Sequence, residues 1–90
     1  MKLRLIDKSG SGELCEHARR NFELTLGRYR PAISTAVISI ERERCSVSVR
    51  LRPNSLVSVD ACEENEIEAV RQAMGRAARE VRRKLSLAMD

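Results

Sequence analysis

The stretch NEIEAVRQAMGRAAREVRRKLSL, residues 65–87, carries two patterns at once. Ile67, Val70, Met74, Ala77, Ala78, Val81 and Leu85 recur at steps of three and four. At about 100° per residue they fall within an arc of roughly 100°, the stripe a helix buries against a core. The opposite face is basic. Arg76, Arg79 and Arg83 point away from the stripe, Arg71, Arg82 and Lys84 flank it, and Glu80 alone interrupts the positive run. The spacing thus predicts a core helix that holds a row of guanidinium groups towards something anionic. Asn65 reads as its N-cap, with Glu68 three residues on completing a capping box. The acids from Glu63 to Glu68 sit at the positive end of the helix dipole, a better reading of them than metal or catalytic carboxylates. Gly75, inside the helix, costs up to about 1 kcal/mol relative to alanine. It either allows close packing on a sheet or is merely tolerated.

Working back from this helix, Leu56 to Cys62 reads as a strand with Val57, Val59 and Ala61 inward, preceded by a turn at Pro53-Asn54-Ser55. Cys45 to Arg52 alternates most cleanly: Val47, Val49 and Leu51 against Ser46, Ser48, Arg50 and Arg52. One buried and one wet face imply an antiparallel sheet. Ile33 to Glu41 is β-branched and strand-like, joined to the next strand by the charged turn Glu41-Arg42-Glu43-Arg44. Glu13 to about Tyr29 is a first helix, with Leu14, Cys15, Ala18, Phe22, Thr25, Leu26 and Tyr29 on one face. Pro31 stops it, because the residue before a proline avoids the helical region. Leu24 falls off that face without explanation. Met1 to Asp7 is a short strand, with Leu3 and Leu5 facing away from Lys2 and Arg4, and Ser9-Gly10-Ser11-Gly12 is a flexible connection. The order is β-α-β-β-β-α, an α+β fold in which both helices pack on one face of a four-stranded sheet. The other face would show Lys2, Arg4, Ser39, Ser46, Ser48, Ser58, Arg50 and Arg52.

Ninety residues are expected to form a single domain over 1–90 with one modest core. Net charge is +4, and six of the 17 Lys and Arg lie between Arg71 and Lys84, so the positive charge is segregated. Arginine predominates, and its planar fork suits phosphate. Cys15, Cys45 and Cys62 are an odd set without metal-ligand spacing, and Cys15 with His17 makes only a C-x-H fragment. Reduced, packed thiols fit the cytoplasm. Neither a signal-peptide core nor an apolar run of transmembrane length is present, so no membrane association is expected. No cofactor, metal or catalytic residue is expected either. His17 stands on a helix two residues from Cys15, positions that do not face each other. Gly10-Ser11-Gly12 lacks the pattern and the lysine of a phosphate loop.

The arginine row of the last helix, with Arg19, Arg20, Arg28 and Arg30 of the first, could form a broad positive surface for phosphates. Phe22 and Tyr29 fall on the buried stripe, which argues against stacking of single-stranded bases and favours a folded RNA read through backbone and shape. Charge and periodicity alone leave this reading and that of a merely solvated face equally open.

Element order and particular residues together resemble the short ribosome hibernation-promoting factors and the related ribosome-associated translation inhibitors. Ser39-Ile40-Glu41-Arg42-Glu43-Arg44 is similar to that family's hydrophobic-Glu-Lys-x-Arg turn, and Val57-Ser58-Val59-Asp60-Ala61 to its alternating fourth strand. Asn65 to Lys84 is similar to its final helix, which opens Asp-x-Tyr-Ala-Ala-Ile-Asp and ends in a basic run. Here Asn65 replaces the opening Asp, Ile67 the Tyr, and Ala69-Val70-Arg71 the Ala-Ile-Asp step. The resemblance implies a small, cytoplasmic β-α-β-β-β-α protein that docks on ribosomal RNA of the small ribosomal subunit and blocks translation. By position it implies RNA contacts at Arg76, Arg79, Arg82 and Arg83, followed by Lys84, and at Arg42 and Arg44 of the turn. Long members carry a second, dimerising domain, so this chain is expected to be of the short type or a piece of a longer one. The alternative is a divergent relative acting as a protein-interaction or homodimerisation module, with the heavy acids and Leu24 as its contact.

Overall fold

A computed structural model describes residues 1–8 and 12–89, with side chains as far as Ser86. The Ser9-Gly10-Ser11 connection lies outside the described residues. The elements are β1 (Lys2–Asp7), α1 (Gly12–Leu26), a 3-10 segment (Gly27–Ala32), β2 (Ile33–Glu41), β3 (Arg44–Leu51), β4 (Ser55–Cys62) and α2 (Glu66–Met89). The four strands form one sheet in the order β1-β2-β3-β4.

The strand alternation decides which side chains enter the core. Register pairs Ile38 with Val47 and Val47 with Val59. It likewise pairs Ala36 with Val49 and Val49 with Val57, and Ile40 with Cys45 and Cys45 with Ala61. These apolar rows face the helices, joined by Leu3 and Leu5 beside Ala36 and Ile38. Phe22 and Leu26 of α1 and Val70, Met74 and Val81 of α2 complete a core in which no polar side chain is buried among the described residues. Full burial of each such side chain is worth about 1.5–3 kcal/mol. The other side of the sheet is covered by no helix of the described residues and carries Arg4, Thr35, Val37, Ser39, Ser46, Ser48, Arg50, Leu56, Ser58 and Asp60.

Three expectations need correction. The sheet is mixed, not wholly antiparallel, because β1 pairs with β2 in parallel. Alternation reports that a strand is buried on one face and says nothing of its direction. A parallel pair needs a long crossover, which α1 supplies. The first α-helix ends at Leu26, and the chain from Gly27 tightens into a 3-10 turn that contains Pro31. Thr25 Oγ1 donates to Asn21 O at 2.7 Å in the last α-helical turn. Finally, the buried stripe of α2 reaches further round one side than expected: Val70, Met74, Ala77 and Val81 are buried and Ala78 and Leu85 pack against the core as expected, but Ile67 lies off it. Ala69 and Ala73 are fully packed, whereas Ile67 is 47% exposed. Small side chains score weakly in a hydrophobic pattern, yet they let a helix lie close to its neighbours.

Asn65 caps α2 as expected. Its Oδ1 accepts from the backbone N–H of Ile67 at 2.9 Å and of Glu68 at 3.2 Å. The Glu68 carboxylate accepts from Arg71 Nη1 at 3.4 Å, so the reciprocal arm of a capping box is turned to an ion pair.

Candidate nucleic-acid interface

The two helices pack side by side on the sheet, so their exposed backs form one side of the molecule. On α2 the buried positions Ala69, Ala73, Val70, Ala77, Met74 and Val81 define the front. At ~100° per residue Arg79 stands opposite it, and Arg82 lies close beside on the same back. Neither donates a hydrogen bond or forms an ion pair to any described residue. They are therefore the two guanidinium groups of the row that are free to meet an anion without first losing a partner.

The neighbouring cations are more constrained. Arg76 Nη1 donates to the backbone O of Asp60 on β4 at 2.6 Å, and its Nη2 donates to Gln72 Oε1 at 3.4 Å. Arg83 pairs with Glu80, Nη2 to Oε2 at 2.7 Å. That hydrogen bond holds the Glu80 carboxyl below the usual range and raises the guanidinium further. Lys84 follows Ala77 by seven residues, so it lies on the sheet-facing side of α2 and is half-buried. It lines a groove of about 530 Å³ between α2 and β4, with Leu56, Val57, Ser58, Val59, Arg76, Arg79 and Glu80.

On α1, Arg20 stands opposite Leu14, Ala18, Phe22 and Leu26, with Glu16 and Glu23 exposed near it, whereas Arg19 lies about 100° round the helix on the flank near Cys15. Arg30 Nη1 pairs with Glu23 Oε2 at 3.3 Å, and the Arg28 guanidinium lies 5.6 Å from the Tyr29 ring centroid. The α1 contribution is thus diluted by acids. The turn residues lie elsewhere. Arg42 is exposed in the two-residue turn with Glu43, whose φ of 59° is in the left-handed region. Arg44 points to the open face of the sheet, where Nη2 reaches Asp60 Oδ2 at 3.2 Å while Ser46 Oγ donates to Asp60 Oδ1 at 2.6 Å. The Ser46 hydrogen bond first, then that of Arg44, pulls the Asp60 carboxyl below its ordinary range. The fold therefore gathers Arg76, Arg79, Arg82 and Arg83 on α2 and separates Arg42 and Arg44 from them. The structural roles of Asp60 and Lys84 are not legible in sequence, because they depend on the pairing of β4 with β3 and on the packing of α2 against β4.

Among the described residues no three His, Cys, Asp or Glu side chains converge to hold a metal ion. Cys15 Sγ lies 3.8 Å from Asp7 Oδ2, and its thiol pKa is raised by burial and then by that carboxylate. His17 is half-buried, with its Nε2 enclosed and unbonded. Cys45 is packed in the core, where burial pushes its thiol up to about 11. No described helix is long and apolar enough to cross a membrane.

Fold and surface define an α+β domain with one arginine-rich helix back. No protein-family model and no curated protein matches the chain. Among solved structures it is similar to the N-terminal domain of Protein Y from Thermus thermophilus, with a TM-score of 0.70 at 22% identity, over 92% of this chain and 98% of that one. That likeness is one of fold.

Proposed function

We infer that this protein binds folded ribosomal RNA of the small ribosomal subunit through the back of α2, as a non-enzymatic, cytoplasmic factor of the hibernation and translation-inhibition type. The observation that carries this reading is the pair Arg79 and Arg82, exposed and unpartnered, between the flanking Arg76 and Arg83. Four guanidinium groups on one straight rod suit the repeating phosphates of a folded RNA. The similarity of the turn at Glu41 to Arg44 and of the final helix to the hibernation family supports the choice of the ribosome over other RNAs. The side chain of Arg20 extends the same side of the molecule, with Arg19, Arg28, Arg30 and Lys84 at its margins, while Arg42 and Arg44, on the turn and the open sheet face, would make a separate contact.

The test is co-sedimentation with small ribosomal subunits at graded salt, for the wild type and for Arg79→Glu with Arg82→Glu. This double variant spares the structural contacts of Arg76 and Arg83. Each phosphate neutralised adds about −0.7 to −0.9 to the slope of log affinity against log salt. The wild type should pellet with subunits, and the variant should bind weakly with a slope shallower by about 2. A wild type that stays in the supernatant at low salt rules the ribosome out. A variant that pellets undiminished rules out this face.

A further inference from the structure

The groove between α2 and β4 has a property that charge alone does not describe: one of its walls is an open sheet edge. β4 is an edge strand. In an antiparallel pair, alternate residues direct their N–H and C=O to the neighbouring strand, and the others direct theirs outward. Glu63 N donates to Glu43 O at 3.0 Å, which assigns the odd-numbered residues of this strand to β3. Asp60 O is the acceptor of Arg76, which independently assigns the even-numbered ones to the outside. Arg76 thus caps one outward carbonyl. The outward N–H and C=O groups of Leu56 and Ser58 have no partner among the described residues, and these two residues line the groove. The Leu56 side chain is 54% exposed on the uncovered face of the sheet.

We propose that this edge accepts an extended acidic peptide segment of a partner protein as a fifth strand, beside β4 and antiparallel or parallel to it. Backbone pairing would be to Leu56 and Ser58, which is recognition by strand addition. Side chains of the added strand alternate. Those on the helix side meet Arg76, Arg79 and Lys84, whose only acidic neighbour in the groove among the described residues, Glu80, is already held by Arg83. Those on the other side lie beside Leu56. The pattern that fits alternates carboxylates with β-branched apolar residues. A second copy of this chain is a poor occupant, because pairing β4 with β4 would bring two sets of these cations together. A nucleic-acid strand would leave the open backbone groups of the edge unused. This proposal goes beyond RNA binding and does not depend on it.

The test uses a fluorescein-labelled peptide of alternating valine and glutamate, a control peptide with lysine in place of glutamate, and a short RNA hairpin. Ser58→Pro removes an outward N–H and no bond of the β3–β4 ladder, so it blocks strand addition at an edge that tolerates proline. The glutamate peptide should bind saturably, the lysine peptide should not, and Ser58→Pro should weaken binding at least about tenfold while leaving affinity for the hairpin unchanged. Amide exchange on the wild type gives a second readout that needs no variant. The Leu56 and Ser58 amides should exchange fast in the free protein and slow on adding the peptide. The proposal is overturned by absence of saturable binding, or by exchange at Leu56 and Ser58 that stays fast with peptide bound, which marks adhesion by charge alone. Protection of these amides by the hairpin in place of the peptide, or by self-association without any ligand, overturns it equally.

Discussion

At the scale of single residues, Asp60 shows how the carboxylate and the backbone carbonyl of one residue tie three elements together. Its carboxylate takes Ser46 and Arg44 on the open face, and its carbonyl takes Arg76 from α2 at the edge. A carboxyl held below its unfolded value contributes stability that is present above the ordinary aspartate range and is lost as pH falls through the folded value. Thermal melts of the wild type and of Asp60→Asn should therefore differ near neutral pH and converge as pH drops below the ordinary aspartate range. The residue is exposed, so the difference will be small. In sequence Asp60 is one polar position of an alternating strand. Its partners lie on β3 and on α2, and nothing local announces them.

At the scale of elements, most of the secondary structure was legible. β2 spans the expected Ile33 to Glu41, and Asn65 caps α2 as its residue type predicts. The misreadings have local causes. The large apolar side chain of Ile67 widens the expected stripe on the exposed side, while the alanines at 69 and 73 make the closer contact and Ala78 packs against the core as expected. The 3-10 turn after Leu26 is hidden in the sequence because the apolar spacing of the helix continues as far as Tyr29. The role of Gly75, open in the sequence, is decided by its surroundings. A Cβ built there meets nothing within 4 Å, so the glycine is not needed for close packing. Gly75→Ala should stabilise the domain by up to about 1 kcal/mol, read from the shift in urea midpoint. A destabilised variant would mean that α2 is packed more tightly than this geometry allows.

At the scale of the whole molecule, one core cluster joins both helices to one face of the sheet. Phe22 is its largest fully buried side chain. Phe22→Ala should cost about 3–5 kcal/mol, a large part of the ~5–15 kcal/mol that holds a domain folded, and a urea titration should show its midpoint fall steeply. The sequence by itself determined the element order, the inward rows of the strands, the cap of α2 and the segregation of arginine onto its back. These follow from periods of two and 3.6, which are local properties of the chain. Only the tertiary structure decided that β1 joins in parallel, that Arg79 and Arg82 are free while Arg76, Arg83 and Arg44 are engaged, and that β4 is left as an open edge beside a cationic groove. Strand order and the pairing of distant charges depend on contacts between segments far apart in the chain, and no local pattern encodes them.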